Sequence, residues 1–318
     1  MAAPTNTVTT LISVGNREDL SDVISRVAPE ETPLISNIGT QKVSAIYSEW
    51  QTETLAAADP TNAQLEGDDI GTFSAGNLTT RVGNYCQIYR KDFLVSRTEE
   101  VVNKAGRSSE IARQKTLKGL EMRRDEEARY IGNYASVAES GATTRKSASL
   151  QAWITTNDSR GAGGSDGGFS GGIVAAATNG TQRTFTEALV KTVLSTAFES
   201  GGRPSLGFMK AAHKQQFAAF TGIADIRVNA NPGKMANIIA GADMYTSDFG
   251  NITLVPHPYE ITRACLFVDP DKVKVGVLDG VKSKRLADTG DSEKYMITKE
   301  STLVVLNQKA HAIVADLT

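Results

Sequence analysis

The chain has 318 residues, 40% of them hydrophobic and 22% charged, enough for a real core and too apolar for a disordered chain. Its 34 Lys and Arg against 36 Asp and Glu leave a formal charge of −2, which argues against a protein built chiefly to grip nucleic acid. No apolar run approaches the ~20 residues needed to cross a bilayer, and residues 1–15 lack the basic flank and long apolar region of a signal peptide.

In chain order, Leu20, Val23, Ile24 and Val27 fall at helical spacing after Asn16 or Asp19 as a cap, and Pro29 stops the run. Nothing adjacent in sequence covers that stripe, so the segment is expected to dock on something distant or on another chain. From Val43 to Val95 the alternation predicts two strands, one around Ile46, Ser48, Trp50 and Thr52, the other through Tyr85, Gln87, Tyr89, Lys91, Phe93 and Val95. Between them lies a polar, acidic stretch. A long two-stranded excursion of this kind is marginal by itself and needs a partner surface.

A helix opened by Ser108 or Ser109 follows, with Glu110 in its first turn. Leu117, Leu120, Ala128 and Ile131 mark a narrow apolar seam. The run Asp125-Glu126-Glu127, alternating with arginines, reads as a solvated face with Asp125–Arg129 and Arg123–Glu127 pairs. Farther on, a capping box from Thr184 to Glu187 opens a helix with Leu189, Val190, Val193, Leu194, Ala197 and Phe198 on one face, ending at Gly201. Short apolar strands succeed it, so the middle of the chain reads as α+β. The end reads as a hairpin turning about Asp288–Asp291 and a closing strand near residues 309–317.

"GAGGSDGGFSGG", residues 161–172, holds two literal G-x-S-x-G matches, on Ser165 and Ser170. That nucleophile elbow requires a strand ending at the serine and a helix starting after it, and neither flank fits. No Lys-Ser or Lys-Thr follows to make a phosphate loop. The segment reads as a mobile surface loop. His213, His257 and His311 are too dispersed for a metal spacing, and Cys86 and Cys265 offer no metal framework and fit a reducing compartment. No catalytic set converges, and no cofactor is expected.

"REDLSDVISRVAPEETPLISNIG", "EWQTETLAA", "LEGDD" and "GNYCQIYRKDFLVSRTEEVVNKAGRSSEIARQKTLKGLEMRRDEEA", in that order, resemble the major capsid (major head) proteins of tailed bacteriophages. "RTFTEALV", "ESGGRPS", "MYTSDFGNITLVP", "LADTGD" and "ESTLVVLNQKAHAIVADL" continue the likeness over nearly the whole chain. The resemblance implies the α+β capsid fold of tailed phages. It places an N-terminal arm at 1–42, an extended loop at 43–95 and a peripheral domain at 96–184 with a spine helix about 107–138 and the glycine-rich loop. An axial domain would cover 185–268, and 269–318 would return to the peripheral domain as a hairpin and a closing strand.

It further implies hexamers and pentamers closing an icosahedral shell around double-stranded DNA, assembled in the bacterial host cytoplasm with a portal and touching DNA only non-specifically, with no membrane partner. Some relatives join subunits through a lysine of the extended loop. Here no lysine stands between Lys42 and Lys91, so a non-covalent shell is expected. The likeness begins within the first twenty residues, which implies a separate scaffolding protein. Trp50 and Tyr85 are the expected inter-subunit contacts of the loop, and Asp288, Asp291 and Lys294 those of the hairpin tip. The rival readings are an encapsulin-like compartment, a serine hydrolase built on Ser165 or Ser170, and a monomeric α+β binding module.

Overall fold

The computed structural model describes residues 28–67, 69, 75–220 and 244–318. The helix expected over Leu20–Val27 and part of the extended-loop tip lie outside the described residues. The elements run α1 (Pro33–Asn37), β1 (Gly39–Lys42), β2 (Tyr47–Thr52), β3 (Thr80–Tyr85), β4 (Gln87–Ser96), α2 (Arg97–Val101), α3 (Glu110–Ile131) and α4 (Leu150–Trp153). Then come β5 (Asp158–Ser159), β6 (Gly168–Ser170), β7 (Ile173–Ala175), α5 (Glu187–Glu199), β8 (Leu206–Met209), α6 (Ala211–Ala218) and β9 (Met244–Ser247). The chain closes with β10 (Gly250–Pro256), β11 (Ala264–Val268), β12 (Val273–Arg285), β13 (Ser292–Val305) and β14 (Ala312–Ala315).

One sheet has the order β5-β14-β11-β8-β10-β9. All of β11 and all of β14 are buried, because this sheet is covered on both faces. Ala264, Leu266, Val268, Phe208, Ile313 and Ala315 pack into the main core. Cys265, Phe267, Met209, Ala312 and Val314, pointing the other way, meet Val190, Val193, Leu194 and Ala197 of α5 and Phe217 of α6. The expected capping box of α5 does not form: the helix starts after Thr186, whose side chain makes no cap bond. Its end is as the sequence indicates, with Gly201 at φ +84°. Phe198, read as part of the apolar face, is instead 45% exposed.

The second sheet has the order β1-β12-β13-β4. The hairpin of β12 and β13 turns through Gly290 at φ +106°. β4 pairs with β13 along its full length, from Ser96 opposite Ser292 to Gln87 opposite Ser301. The strand expected through Tyr85–Val95 is therefore mostly a strand of the body, and the partner of β2 is β3, with Tyr47 opposite Tyr85 and Thr52 opposite Thr80. The reason is burial: Tyr89 and Phe93 gain a small core with Met122 of α3 and Ile297 of β13, which an excursion could not supply. The closing strand β14 likewise joins the six-stranded sheet, beside β11 and β5, and not the long-hairpin sheet.

α3 is 22 residues long, about 33 Å at 1.5 Å per residue, shorter than the span 107–138. Ser109 caps it by accepting from the Ala112 amide. It stops at Gly132, where the Tyr134 ring lies 2.4 Å from the place a Cβ would occupy. The chain must turn away there.

Candidate functional site

The acidic run on α3 overturns the solvated-face reading. Glu126 and Glu127 are buried, at 1% and 0% exposure. Glu126 accepts from Ser301 Oγ at 2.6 Å, Lys299 Nζ at 2.6 Å and Tyr130 Oη at 3.2 Å. Glu127 accepts from the Leu34 and Ile35 amides at 2.6 and 2.9 Å, and lies 2.8 Å from His257 Nε2. The expected i,i+4 pairs are replaced by long-range ones. Asp125 meets Lys91 at 2.6 Å, Arg123 donates to Thr32 Oγ1 and Ser36 Oγ, and Arg129 donates to the Ser147 and Ala135 carbonyls. Each partner lies many residues away or on the backbone, so helical spacing carried no sign of them.

The glycine-rich segment is also built where slack was expected. Asp316 is buried at φ +59° and accepts from the Gly161 and Gly180 amides at 3.0 and 2.9 Å. A Cβ at Gly161 would stand 2.0 Å from the Thr181 carbonyl, so glycine is needed for this close approach. Asp158 and Asp166 flank the Arg160 Nε at 3.1 and 2.5 Å. Burial, and then its hydrogen bond with Asp166, lift the Asp158 carboxyl to about 6.

Ser165 is held by backbone bonds to Thr178, and Ser170 stands opposite Ile173 in the β6–β7 hairpin. Among the described residues neither hydroxyl meets a histidine. All three histidines are buried. His257 faces Glu127, and His311 Nδ1 accepts from the Asp269 amide, with burial pushing that imidazole down to about 3.

The residues expected at inter-subunit contacts fall into two groups. Trp50 is packed inside its own chain, its ring 5.5 Å from that of Trp153, which stacks in turn on Phe169. Tyr85 lies against Tyr47, with centroids 4.6 Å apart. Both aromatics thus brace the root of the β2–β3 ribbon. Asp288, Asp291 and Lys294 gather at the far end of the long hairpin. There Arg285 holds Asp288 at 2.8 Å, Arg97 holds Asp291 at 2.8 Å, and Lys294 donates to Thr289 Oγ1.

What stays open is apolar surface that sequence reasoning did not single out. Leu55, Leu65 and Leu78, on the loop between β2 and β3, are 88%, 81% and 89% exposed. On β4, Ile88, Arg90, Asp92 and Leu94 are exposed, while the alternate residues Tyr89 and Phe93 face α3. One face of the four-stranded sheet is therefore covered by α3, and the other is not. Alternation in β4 was the available signal, once the strand is assigned to the body. Phe198 and Phe249 stack 4.9 Å apart beside exposed Met244, at the β9 end of the six-stranded sheet.

The family model of the SU10 major capsid protein matches residues 3–318. The chain belongs to that family. This capsid protein is 25% identical to the "Major capsid protein" of Escherichia phage Phieco32, over 94% of each chain. Its fold is similar to that in the cyanophage A-1(L) capsid asymmetric unit, with a TM-score of 0.67 at 12% identity, over 98% of this chain and 100% of that one. It is also similar to the SrpI encapsulin of Synechococcus elongatus PCC 7942, with a TM-score of 0.55 at 12% identity, over 95% and 92% of the two chains. The capsid protein is a structural subunit of a phage shell, with the tailed-phage capsid fold, and its place is the virion. Its copies assemble with one another.

Proposed function

We propose that the protein forms the hexamers and pentamers of an icosahedral head around double-stranded DNA, with its loop between β2 and β3 laid on a neighbour's four-stranded sheet. It acts as a container and not as an enzyme. One observation carries the docking: residues 53–80 hold five acids, Glu53, Asp59, Glu66, Asp68 and Asp69, and no Lys or Arg. The uncovered sheet face presents Arg90, Lys282 and Lys284 around Ile88 and Leu94. Exposed leucines on an acidic strip match apolar residues in a basic surround, which fixes register and suppresses wrong pairings.

In this reading Trp50 and Tyr85 support the loop, and Leu55, Leu65 and Leu78 make its contacts. Asp288, Asp291 and Lys294 mark where the hairpin tip meets the next capsomer. The arm of residues 1–42 reaches a neighbour, and the unit of 185–268 points toward the capsomer axis. Contacts are non-covalent. A portal and a separate scaffolding protein join during assembly in the host cytoplasm, and the near-neutral charge suits a wall that touches DNA without gripping it.

Reversing Lys282 and Lys284 to Glu should abolish particles in sucrose gradients and electron micrographs while the subunit stays folded. Adding Glu53→Lys, Asp59→Lys and Glu66→Lys to that variant should restore them. Normal particles from the first variant would refute the docking. The encapsulin likeness leaves a second reading, a compartment for protein cargo, which particles filled with DNA would eliminate.

A further inference from the structure

The residues around Glu127 join three parts of the chain that are distant in sequence. α1 has no side-chain cap of its own, since Thr32 makes none. Its first amides, Leu34 and Ile35, are received by the Glu127 carboxylate of α3 instead. The same carboxylate lies against His257, which follows β10 of the six-stranded sheet. Both side chains have no exposure at all. A buried carboxylate accepting three N–H groups is held as an anion, and such a charge is costly unless a counter-charge stands close.

The imidazole is placed to supply that charge reversibly. Nε2 must carry a hydrogen to bond Glu127 at 2.8 Å. Nδ1 sits between two groups of opposite kind, the Tyr259 amide at 3.2 Å and the Tyr259 carbonyl at 3.0 Å. A neutral ring accepts from the amide, and a protonated ring donates to the carbonyl. Either state is satisfied without moving the ring, whose edge meets Phe208. His257 also lines a surface groove of about 450 Å³ with Ala28, Glu30, Pro256 and Pro258, which gives the proton a path to solvent.

We propose that Glu127 and His257 form a proton-sensitive latch that sets how tightly Pro33–Asn37 is held on α3. With the proton on Nδ1, taken from solvent, the carboxylate faces a cation and the strap tightens; without it, the bond remains but is neutral on one side and weaker. The other charged and titratable groups near the ring are accounted for. Arg123 is engaged with Thr32 and Ser36, and Arg124 lies over the Tyr259 ring. Tyr259 Oη donates to the Pro29 carbonyl, and Glu260 accepts from Tyr134. Glu30 and Glu31 line the groove and add a negative field that favours the charged ring. The latch acts within one subunit and stands independently of what the loop or arm contacts in a shell.

The test is hydrogen exchange by mass spectrometry on the full-length, unassembled protein, following the peptide that contains Leu34 and Ile35 from pH 5.5 to 8. After correction for intrinsic exchange, protection should fall roughly three- to tenfold as pH rises through the range in which imidazoles titrate. His257→Gln keeps an N–H donor but cannot take up a proton, and should flatten the profile at the high-pH level. If that variant does not fold, Glu127→Gln, which removes the charge and keeps the shape, should flatten it as well. A flat wild-type profile, or an unchanged slope in the folded variants, overturns the latch.

Discussion

The two sheets of this protein are built from similar residues and left in different states. In the six-stranded sheet, β11 and β14 are buried from end to end, because α5 and α6 close one face and the main core closes the other. In the four-stranded sheet, Tyr89 and Phe93 are closed by α3, while Leu94, next to them on β4, is 65% exposed. The first sheet completes its burial within one subunit. The second completes half, and the remainder is available to a neighbour.

The sharpest way to break this contrast is to truncate one apolar residue in each sheet. Phe267→Ala, at 0% exposure, should cost about 3–5 kcal/mol in chemical denaturation of the unassembled subunit. Leu94→Ala should change that stability by no more than about 0.5 kcal/mol, yet lower particle yield. Equal losses of stability would mean that the two sheets are not differently finished.

A smaller but still large effect concerns the polar seam that ties the four-stranded sheet to α3. Glu126→Ala strands Lys299, Ser301 and Tyr130 together and should cost about 3 kcal/mol. A denaturation midpoint close to wild type would show that this seam holds little.

The smallest effect is one of pH, and it belongs to the edge of the six-stranded sheet. Asp158 titrates at about 6 in the fold against its ordinary 3.8, so over that interval the folded chain holds a proton that the unfolded chain has released. Stability should therefore rise as pH falls through 6, level off below the ordinary carboxylate range, and lack this contribution above 6. Asp158→Asn should remove that slope from the pH profile of the melting temperature. A slope unaltered in the variant would assign it to another group.

The long elements were legible because their signals are local. The hairpin turn at Gly290, the start of α3 at Ser109 and the end of α5 at Gly201 each depend on residues within a turn or two. The strand Gln87–Ser96 was visible as a strand but not as a member of the body, since alternation is the same whichever partner it finds. Of the surfaces that matter for assembly, Asp288, Asp291 and Lys294 could be named as charges near a turn. The exposed face of β4 could not be named, because it exists only once α3 has chosen the other side.

From the sequence alone came the class of element in each stretch, the acid-only loop, the lack of a converging catalytic set and the resemblance to phage head proteins. Each follows from composition, spacing within a few residues, or the order of segments. Only the tertiary structure decided that Glu126 and Glu127 are interior, that Asp316 fastens the glycine-rich segment, and that Trp50 braces its own subunit. Those outcomes depend on partners tens to hundreds of residues away. A carboxylate is solvated or buried according to the donors that the fold brings to it, and no pattern along the chain records which donors those will be.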